Sequence, residues 1–372
     1  MIITEVTTSK HRKEFLDCAR EIYKNDPYWV CPLDENIEAV FNPLKNNFHQ
    51  HGHCTRWILH SDSGKLIGRI GAFINNKKAY QYEQPTGGIG FFECINDQQA
   101  ANLLFDTAKN WLQKLGMQAM DGPINFGEND SFWGLLVEGF TSPSFGMNYH
   151  LPYYHQLFES YGFKTLYQQI TNHLDINKPF PERFSKIAKW VAAKPGYRFE
   201  HLTVAGFDKF ASDFIEIYND AWRDFESFVP IRKETVMESF NKMKPIMDEK
   251  LIWFAYINDQ PASFVVILPD ANEFIKPLKG KLGLLQKIQF AYYRWKGARR
   301  MRAVVMGTKK SFQNHGLESA IFIKLKEYVL PLKQYEELEL SWVGDFNDKM
   351  LALHDATGSV FGKRHLTMRK VF

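Results

Sequence analysis

Three stretches of the sequence combine residue types that could do chemistry. The first, residues 313–318, is a polar loop with a glycine that leads into an apolar, helix-like segment. The first amides of a helix have no partner within the helix, and glycine allows a ligand to approach the backbone closely. This loop could therefore hold a phosphate group, although an ordinary loop that enters a helix has the same pattern.

The second stretch, residues 274–302, is basic and aromatic and contains no acidic residue. Such a segment could cover an acyl groove, lie on an anionic surface such as a membrane face, or contact tRNA phosphates. The alternative is a solvated helix that packs on the rest of the chain. The pattern by itself does not decide between these interpretations.

The third stretch, residues 49–54, contains three histidines and a cysteine, which are metal-ligand types. Zinc sites place two ligand pairs at characteristic separations, and this loop offers no second pair. We therefore expect a flexible turn here and predict no metal site.

The elements that must position these residues are predicted to occur in the same order twice. Alternating apolar residues predict strands, and apolar residues three or four apart predict helices. In the first half they predict a strand at 1–6, a helix at 10–25, a hairpin at 55–60 and 66–74, a strand at 87–95, a helix at 97–115, a short strand at 120–126, a short helix before Gly162, and a strand at 165–174.

The second half returns to this order after a connection rich in proline. The predicted elements are a strand at 198–202, helices at 208–222 and 233–247, a hairpin at 251–257 and 262–268, a strand at 302–307, a helix at 316–330, a strand at 339–343, and a helix before Gly358. When Gly162 is aligned with Gly358, Tyr154 falls on Met350. We therefore predict domains at 1–176 and 197–372 with a linker at 177–196.

Composition excludes several classes of protein. A chain of 372 residues with 45% hydrophobic content can form two ordinary cores, and a net charge of +4 gives no broad basic surface for nucleic acid. The four cysteines lie within the first 94 residues without C-x-x-C spacing, which argues against a secreted disulfide scaffold. Without a signal peptide or a long apolar run, we expect a cytoplasmic protein with no stable membrane insertion. The oligomeric state is left open.

Short strings at fixed places in this order resemble a known superfamily. They are Gly68-Arg69-Ile70, Gly90-Phe91-Phe92-Glu93, Asp121-Gly122-Pro123-Ile124-Asn125, Tyr218-Asn219-Asp220-Ala221-Trp222, Pro269-Asp270-Ala271-Asn272 and Ser341-Trp342-Val343. With the element order they resemble a bacterial tandem branch of the GCN5-related N-acetyltransferase (GNAT) superfamily. The resemblance implies an α/β (α+β) fold of two GNAT-like domains, each a mixed, mostly antiparallel sheet flanked by helices.

The resemblance also implies an N-acyltransferase that uses acetyl-CoA or another acyl-CoA and acts on an amine of a small molecule or peptide. In this superfamily the diphosphate loop reads Gln or Arg, two residues, Gly, one residue, Gly or Ala. Gln313 and Gly316 fit this pattern, whereas Glu318 stands where a small residue is expected. The implied cofactor-binding residues are Val305, Met306, Gly307, Gln313, Asn314, His315, Gly316, Leu317 and Asn347.

The corresponding loop of the first half, residues 96–101, has no glycine and places Asp97 where it can cap the following helix. We therefore expect a degenerate cofactor loop in the first domain and place the acyl-CoA site in the second.

Catalytic roles follow from the same resemblance. Transfer of an acyl group to an amine needs a base, for which Glu339 and Asp345 are candidates, and often an acid for the departing thiolate, for which Tyr154 is a candidate. Each has a structural alternative: Asp345 can cap a helix, Glu339 can face solvent on its strand, and Tyr154 can pack with a satisfied hydroxyl. Glu93, beside two phenylalanines, is a further candidate base if burial raises its pKa.

The acceptor is predicted to bind between the halves, near Asn219, Trp222 and Asn272. Two other functions remain open at this point. One is a tRNA-dependent aminoacyl transferase that docks tRNA on residues 274–302. The other is a catalytically inactive homologue that binds a ligand or a protein.

Overall fold

The computed structural model describes residues 1–224 and 230–372. The first half contains the predicted strands and helices in the predicted order, together with one helix and one strand that were not predicted. Its elements are β1 (Ile2–Glu5), α1 (Ser9–Ile22), α2 (Asp34–Val40), β2 (Gly52–His60), β3 (Leu66–Asn75), β4 (Thr86–Cys94), α3 (Gln98–Lys114), β5 (Ala119–Gly122), β6 (Leu135–Glu138), α4 (Tyr154–Tyr161) and β7 (Lys164–Asp175).

The second half repeats this order after a connecting helix and contains one insertion, formed by α8 and α9. Its elements are α5 (Glu182–Ala192), β8 (Tyr197–His201), α6 (Phe207–Trp222), α7 (Lys233–Met243), β9 (Ile252–Ile257), β10 (Gln260–Pro269), α8 (Asn272–Ile275), α9 (Leu284–Lys296), β11 (Arg300–Thr308), α10 (Leu317–Val329), β12 (Glu337–Glu339), β13 (Val343–Gly344), α11 (Asp348–Ala356) and β14 (Val360–Val371).

The strands of both halves form one continuous mixed sheet in the order β1-β2-β3-β4-β5-β14-β7-β12-β11-β10-β9-β8. The C-terminal strand β14 lies between β5 and β7 of the first half and is antiparallel to both. On the other edge of β7 lies β12, again antiparallel. Strand pairing therefore joins the two halves of the chain into one sheet.

Helices cover both faces of the sheet because alternate strand residues point to opposite sides. In the first half, Leu59 packs with α3, whereas its neighbour Ile58 packs with α1 and α2. In the second half, Val265 packs with α5 and α10, and Phe264 packs with α6 and α7. This layered arrangement fits the predicted α/β class.

Two parts of the element prediction were wrong. The single strand expected at 339–343 is broken into β12 and β13, which both pair with β7. The sequence reading also missed β14, α2 and β6. In β14 the side chains of Lys363 and His365 are buried, so the strand lacks the clear apolar alternation by which strands are recognised.

In the described ranges, none of the helices is both long and apolar enough to cross a membrane.

The attachment of β14 can be tested through Arg369, which donates two hydrogen bonds to the Asp121 carboxylate on β5, at 2.7 and 2.8 Å. We expect Arg369→Leu to lower the free energy of unfolding by about 3 kcal/mol, because the buried carboxylate loses its counter-charge. Urea denaturation measures this change. The control is Arg369→Leu combined with Asp121→Asn, which should recover part of the loss, and a loss of less than about 0.5 kcal/mol in the single variant would contradict the assignment.

Candidate functional site

In the second half, the edge of β11 that follows Arg302 has no strand neighbour in the described part of the chain, and the gap beside this edge is called the cleft below. Strand β11 runs parallel to β12 only as far as the pairing of Arg302 with Glu339. The chain then leaves β12, and β13 pairs with β7 instead. Within the part of the chain that the structure describes, residues 304–308 of β11 therefore have no strand on this side. Ser341 lies at the closed end of the cleft, where its hydroxyl donates to the carbonyl oxygen of Ala303 at 2.6 Å.

The N-terminus of α10 follows the open end of β11. Gly316 precedes the helix with a φ of +73°, and no side chain caps it. The first helical hydrogen bond runs from the amide of Ala320 to the carbonyl of Gly316. Among the described residues, the amides of Leu317, Glu318 and Ser319 find no acceptor. Free amides at the positive end of a helix form a site suited to a phosphate.

Glu318, which departs from the superfamily pattern, does not cap these amides. Its carboxylate accepts a hydrogen bond from the hydroxyl of Thr308 at the end of β11. Thr308 is held in turn by Ser263, at 2.8 Å between the two hydroxyl oxygens. The helix terminus therefore stays uncapped, although a negative charge lies in its first turn.

The loop before α10 fits closely against its surroundings. A side chain at Gly316 would place its Cβ 3.2 Å from Cγ2 of Val191 on α5, and the positive φ disfavours any other residue. Gln313, Asn314 and His315 are exposed. Of these, His315 is anchored, because its Nδ1 lies 3.0 Å from the Tyr197 hydroxyl.

An aromatic wall stands on the other side of the β11 end. A Cβ at Gly307 would lie 2.6 Å from the Trp222 ring, so the glycine is needed for this contact. Tyr218 stacks on Trp222 with ring centroids 4.4 Å apart, and Phe214 packs on Phe264 at 4.5 Å. The structure thus brings Trp222, predicted for the acceptor, onto Gly307, predicted for the cofactor, and Val305 and Met306 lie on the same strand.

Two predicted site residues have structural roles. Asn219 holds the backbone just before α7, because its side chain accepts from the Ile231 amide at 2.8 Å. Asn347 caps α11 by accepting from the amide of Met350 at 3.2 Å. Asp345 is exposed directly after β13, and its amide donates to the carbonyl of Gln168.

The equivalent region of the first half is closed. Asp97 caps α3 as expected, by accepting from the amides of Gln99 and Ala100 at 2.8 and 3.1 Å. The hydroxyl of Tyr153 donates to the carbonyl of Cys94 at 2.7 Å, and the amide of Cys94 donates to the Tyr154 hydroxyl at 3.2 Å. Backbone groups at the end of β4 are therefore occupied by protein atoms.

Known proteins resemble this chain over its full length. No family model matches it. The bacterial ceramide synthase of Caulobacter vibrioides is 28% identical over 99% of this chain and 97% of that protein. Protein YghO of Escherichia coli is 27% identical over 96% of this chain and 92% of that protein.

Among solved structures, a tandem GNAT protein from the clavulanic acid biosynthesis pathway superposes with a TM-score of 0.57. The alignment covers 100% of this chain and 98% of that one at 11% identity. The chain has a tandem GNAT fold. The resemblance inferred from the sequence strings is thereby confirmed at the level of fold.

The first GNAT half contains a buried carboxylate cluster. Glu93 accepts hydrogen bonds from the hydroxyls of Tyr23 and Tyr154, at 2.7 and 2.8 Å, and lies 3.4 Å from Arg69. Burial raises the pKa of Glu93, and Arg69 opposes the rise. The cluster borders a cavity of about 40 Å³ that is lined mainly by apolar residues, among them Phe91. Tyr154 thus lies in the closed half, and in the described residues no contact joins it to Glu339 or Asp345.

Glu339 is buried at the junction of the two GNAT halves. Its carboxylate lies 3.5 Å from Nζ of Lys363 on β14 and 3.8 Å from Nε2 of His173 on β7. Burial would raise the pKa of Glu339, but the positive charges of Lys363 and Arg300 outweigh it and hold this pKa at about 2. A carboxylate with so low a pKa is a weak proton acceptor near neutral pH. Lys363 was not identified from the sequence, because β14 was missed.

Asn272 also lies at this junction. Its side chain donates to the carbonyl of Pro143 at 2.7 Å, and Arg300 donates to the same carbonyl at 3.3 Å. Arg300 is paired at 2.8 Å with Asp270, which is fully buried. The predicted acceptor residues Trp222 and Asn272 thus have separate surroundings, one beside the cleft and one between the halves.

The pairing of Glu339 predicts a pH-dependent effect of Lys363→Met. Because the folded-state pKa of Glu339 is depressed, its ionised form contributes stability above about pH 4.3 that is lost as the pH falls toward 2. Removal of Lys363 should lower the free energy of unfolding by about 3 kcal/mol at pH 7 and by less at pH 3. Urea denaturation at both pH values measures this. Addition of Glu339→Gln should reduce the loss at pH 7, and equal losses at both pH values would exclude the interaction.

Proposed function

We propose that this protein transfers an acyl group from an acyl-CoA to the amine of a long-chain amino alcohol, forming an amide lipid. The observation that carries the proposal is the open cleft beside β11, which ends at the three free amides of α10. In this proposal the second GNAT half binds the donor. The first half, whose cleft is occupied by Tyr153 and Tyr154, supports the sheet.

The cleft offers separate contacts for each part of the donor. The free amides of Leu317, Glu318 and Ser319 suit the diphosphate, because they combine unpaired N–H groups with the positive end of the helix. The edge of β11 at Val305–Gly307 suits the amide-containing arm of CoA, which can hydrogen-bond to a strand edge as another strand would. Glu318 and its negative charge weaken diphosphate binding relative to a small residue at this position.

Two observations support a long-chain acceptor. Trp222 and Tyr218 of the aromatic wall are partly exposed near the end of β11, and aromatic surface suits an alkyl chain. In addition, the chain resembles a bacterial ceramide synthase over nearly its whole length. Ceramide is the amide of a long-chain amino alcohol with a fatty acid, so the same bond would be formed here.

Attack on the thioester requires the amine to lose a proton. Of the two carboxylates predicted for this step, Asp345 is exposed on the β13 side of the cleft, whereas Glu339 is buried and paired with Lys363. We therefore assign the role of base to Asp345. The nitrogen forms the new C–N bond, the C–S bond breaks, and the thiolate of CoA leaves and takes up a proton.

Activity is tested with purified protein, a long-chain acyl-CoA and a long-chain amino alcohol, with the amide measured by mass spectrometry and the free thiol by a colorimetric reagent. We expect Gly316→Trp to lower kcat/KM by about 100-fold, because the new side chain presses on α5 and disturbs the amides. Gly64→Trp is the matched control, since a Cβ at Gly64 meets no atom within 4 Å and its φ is also positive. Transfer from aminoacyl-tRNA without use of acyl-CoA would overturn the proposal.

The role of Asp345 is tested by Asp345→Asn, with Asp348→Asn as a matched exposed control in the first turn of α11. We expect kcat to fall by about 100-fold in the first variant near neutral pH and to change little in the second. A rate that recovers as the pH rises toward the amine pKa would support proton removal as the lost step. If both variants retain the original rate and pH profile, Asp345 is not the base.

A further inference from the structure

Helix α9, in the insertion between β10 and β11, exposes an unusually apolar face. It has 13 residues, and none of them is buried. Large hydrophobic side chains along it are mostly exposed: Leu284 by 78%, Leu285 by 71%, Ile288 by 62%, Tyr292 by 55% and Trp295 by 83%. With about 100° between successive residues, these five side chains fall within about 100° of arc. They form a single stripe, which is called the α9 face below.

The opposite side of α9 is held firmly by the protein. Phe290 packs edge-on against Phe274 of α8 with ring centroids 6.1 Å apart. The guanidinium of Arg294 donates to the carbonyls of Pro245 and Met247, at 3.3 and 3.1 Å. Because the opposite side of α9 is fixed to the protein, the α9 face points outward, and no described part of the chain covers it.

The insertion also packs against the first half of the chain. Ile275 and Leu278 pack on Val30 in one cluster, and the amide of Asp34 donates to the carbonyl of Gly280 at 2.8 Å. Val30 also borders the cavity beside Glu93. The helix is thus fixed to both halves, so a surface that binds α9 orients the whole molecule.

Charge indicates what covers the α9 face. Residues 274–302 contain nine Lys and Arg residues and no acidic residue. Lys287 and Lys296 lie on either side of the stripe, are exposed, and make no ion pair within the described residues. An apolar stripe with cations along its borders matches the interface of an anionic bilayer, where acyl chains lie beneath phosphates.

We propose that α9 is a docking helix that lies in the plane of an anionic lipid bilayer. Leu284, Leu285 and Ile288 enter the boundary of the acyl chains, Trp295 lies at headgroup depth, and the flanking lysines meet the phosphates. At about 20 Å the helix is shorter than the hydrocarbon core of about 30 Å, so it lies on the membrane and does not cross it. The inference stands on α9 itself and does not depend on the acyl-transfer activity.

The aliphatic side chains at the centre of the α9 face favour a lipid bilayer over RNA as the partner. Leucine and isoleucine side chains neither stack on bases as aromatic rings do nor pair with phosphates, so RNA would leave the most exposed part of the α9 face in water. A bilayer buries that part. Binding to RNA or to a second copy of the chain is therefore an outcome that the experiment must be able to reveal.

The test uses the full-length protein in co-sedimentation with vesicles of phosphatidylcholine, with and without about 30 mol % phosphatidylglycerol. We expect binding to the anionic vesicles only. Ile288→Glu should weaken it by at least about tenfold, since burial of one large aliphatic side chain is replaced by a charge that anionic lipid repels. Leu44→Glu is the matched control, because Leu44 is 94% exposed far from α9 in sequence and its change should leave binding intact.

A second variant tests the charges separately. Lys287→Glu combined with Lys296→Glu should weaken binding and reduce its dependence on salt, while thermal unfolding stays unchanged because both side chains are exposed. Absence of vesicle binding by the original protein, or equal binding by Ile288→Glu, would overturn the proposal. So would a tRNA mobility shift without vesicle binding, or a dimer in sedimentation that Ile288→Glu dissolves while vesicles remain unbound.

Discussion

The position of β14 between β5 and β7 is the constraint on which the rest of the structure depends. A strand with neighbours on both edges must satisfy two hydrogen-bond ladders, and here both neighbours come from the other half of the chain. β7 in turn pairs with both β12 and β13. Of these two, β12 still pairs with β11 whereas β13 does not, and the separation of β13 from β11 opens the cleft. The cleft is therefore held open by strand pairing between the two halves, because β7 of the first half positions β12 and β13.

The two halves differ in the hydrogen bonds at the start of the helix that follows their fourth strand. In the first half an Asp side chain satisfies the amides that begin α3, and two tyrosine hydroxyls occupy the end of β4. In the second half a glycine precedes α10, and the first amides of this helix have no partner among the described residues. The backbone order is the same in both. The difference lies in whether a short polar side chain stands where a phosphate would bind.

The features that could be predicted from the sequence are those that depend on neighbouring residues. The hairpins, the cap at Asp97 and the stop at Gly162 follow from neighbouring residues, and the structure contains each of them. The contact of Trp222 with Gly307 joins residues far apart in sequence, and no local pattern indicates that they lie together. The pairing of Lys363 with Glu339 was missed for a related reason: β14 buries polar residues that are stable there only beside partners from distant strands. The side-chain oxygens of Asn219 and Asn347 accept from the backbone amides of Ile231 and Met350, and the ligand-binding roles expected for these two residues stay predictions.

Buried ion pairs at the junction explain why the halves meet in one register. Asp121 pairs with Arg369, Glu339 with Lys363, and Arg300 bridges Asp270 to carbonyls of the first half. Such pairs add little net stability relative to apolar residues of the same shape, because desolvation offsets the attraction. A slip of β14 by one residue, however, would turn Lys363 away from Glu339 and leave both charges unpaired, since successive side chains point to opposite faces. The ion pairs thus destabilise wrong registers of β14 more than they stabilise the observed one. The register of β14 in turn sets the positions of the strands that form the cleft.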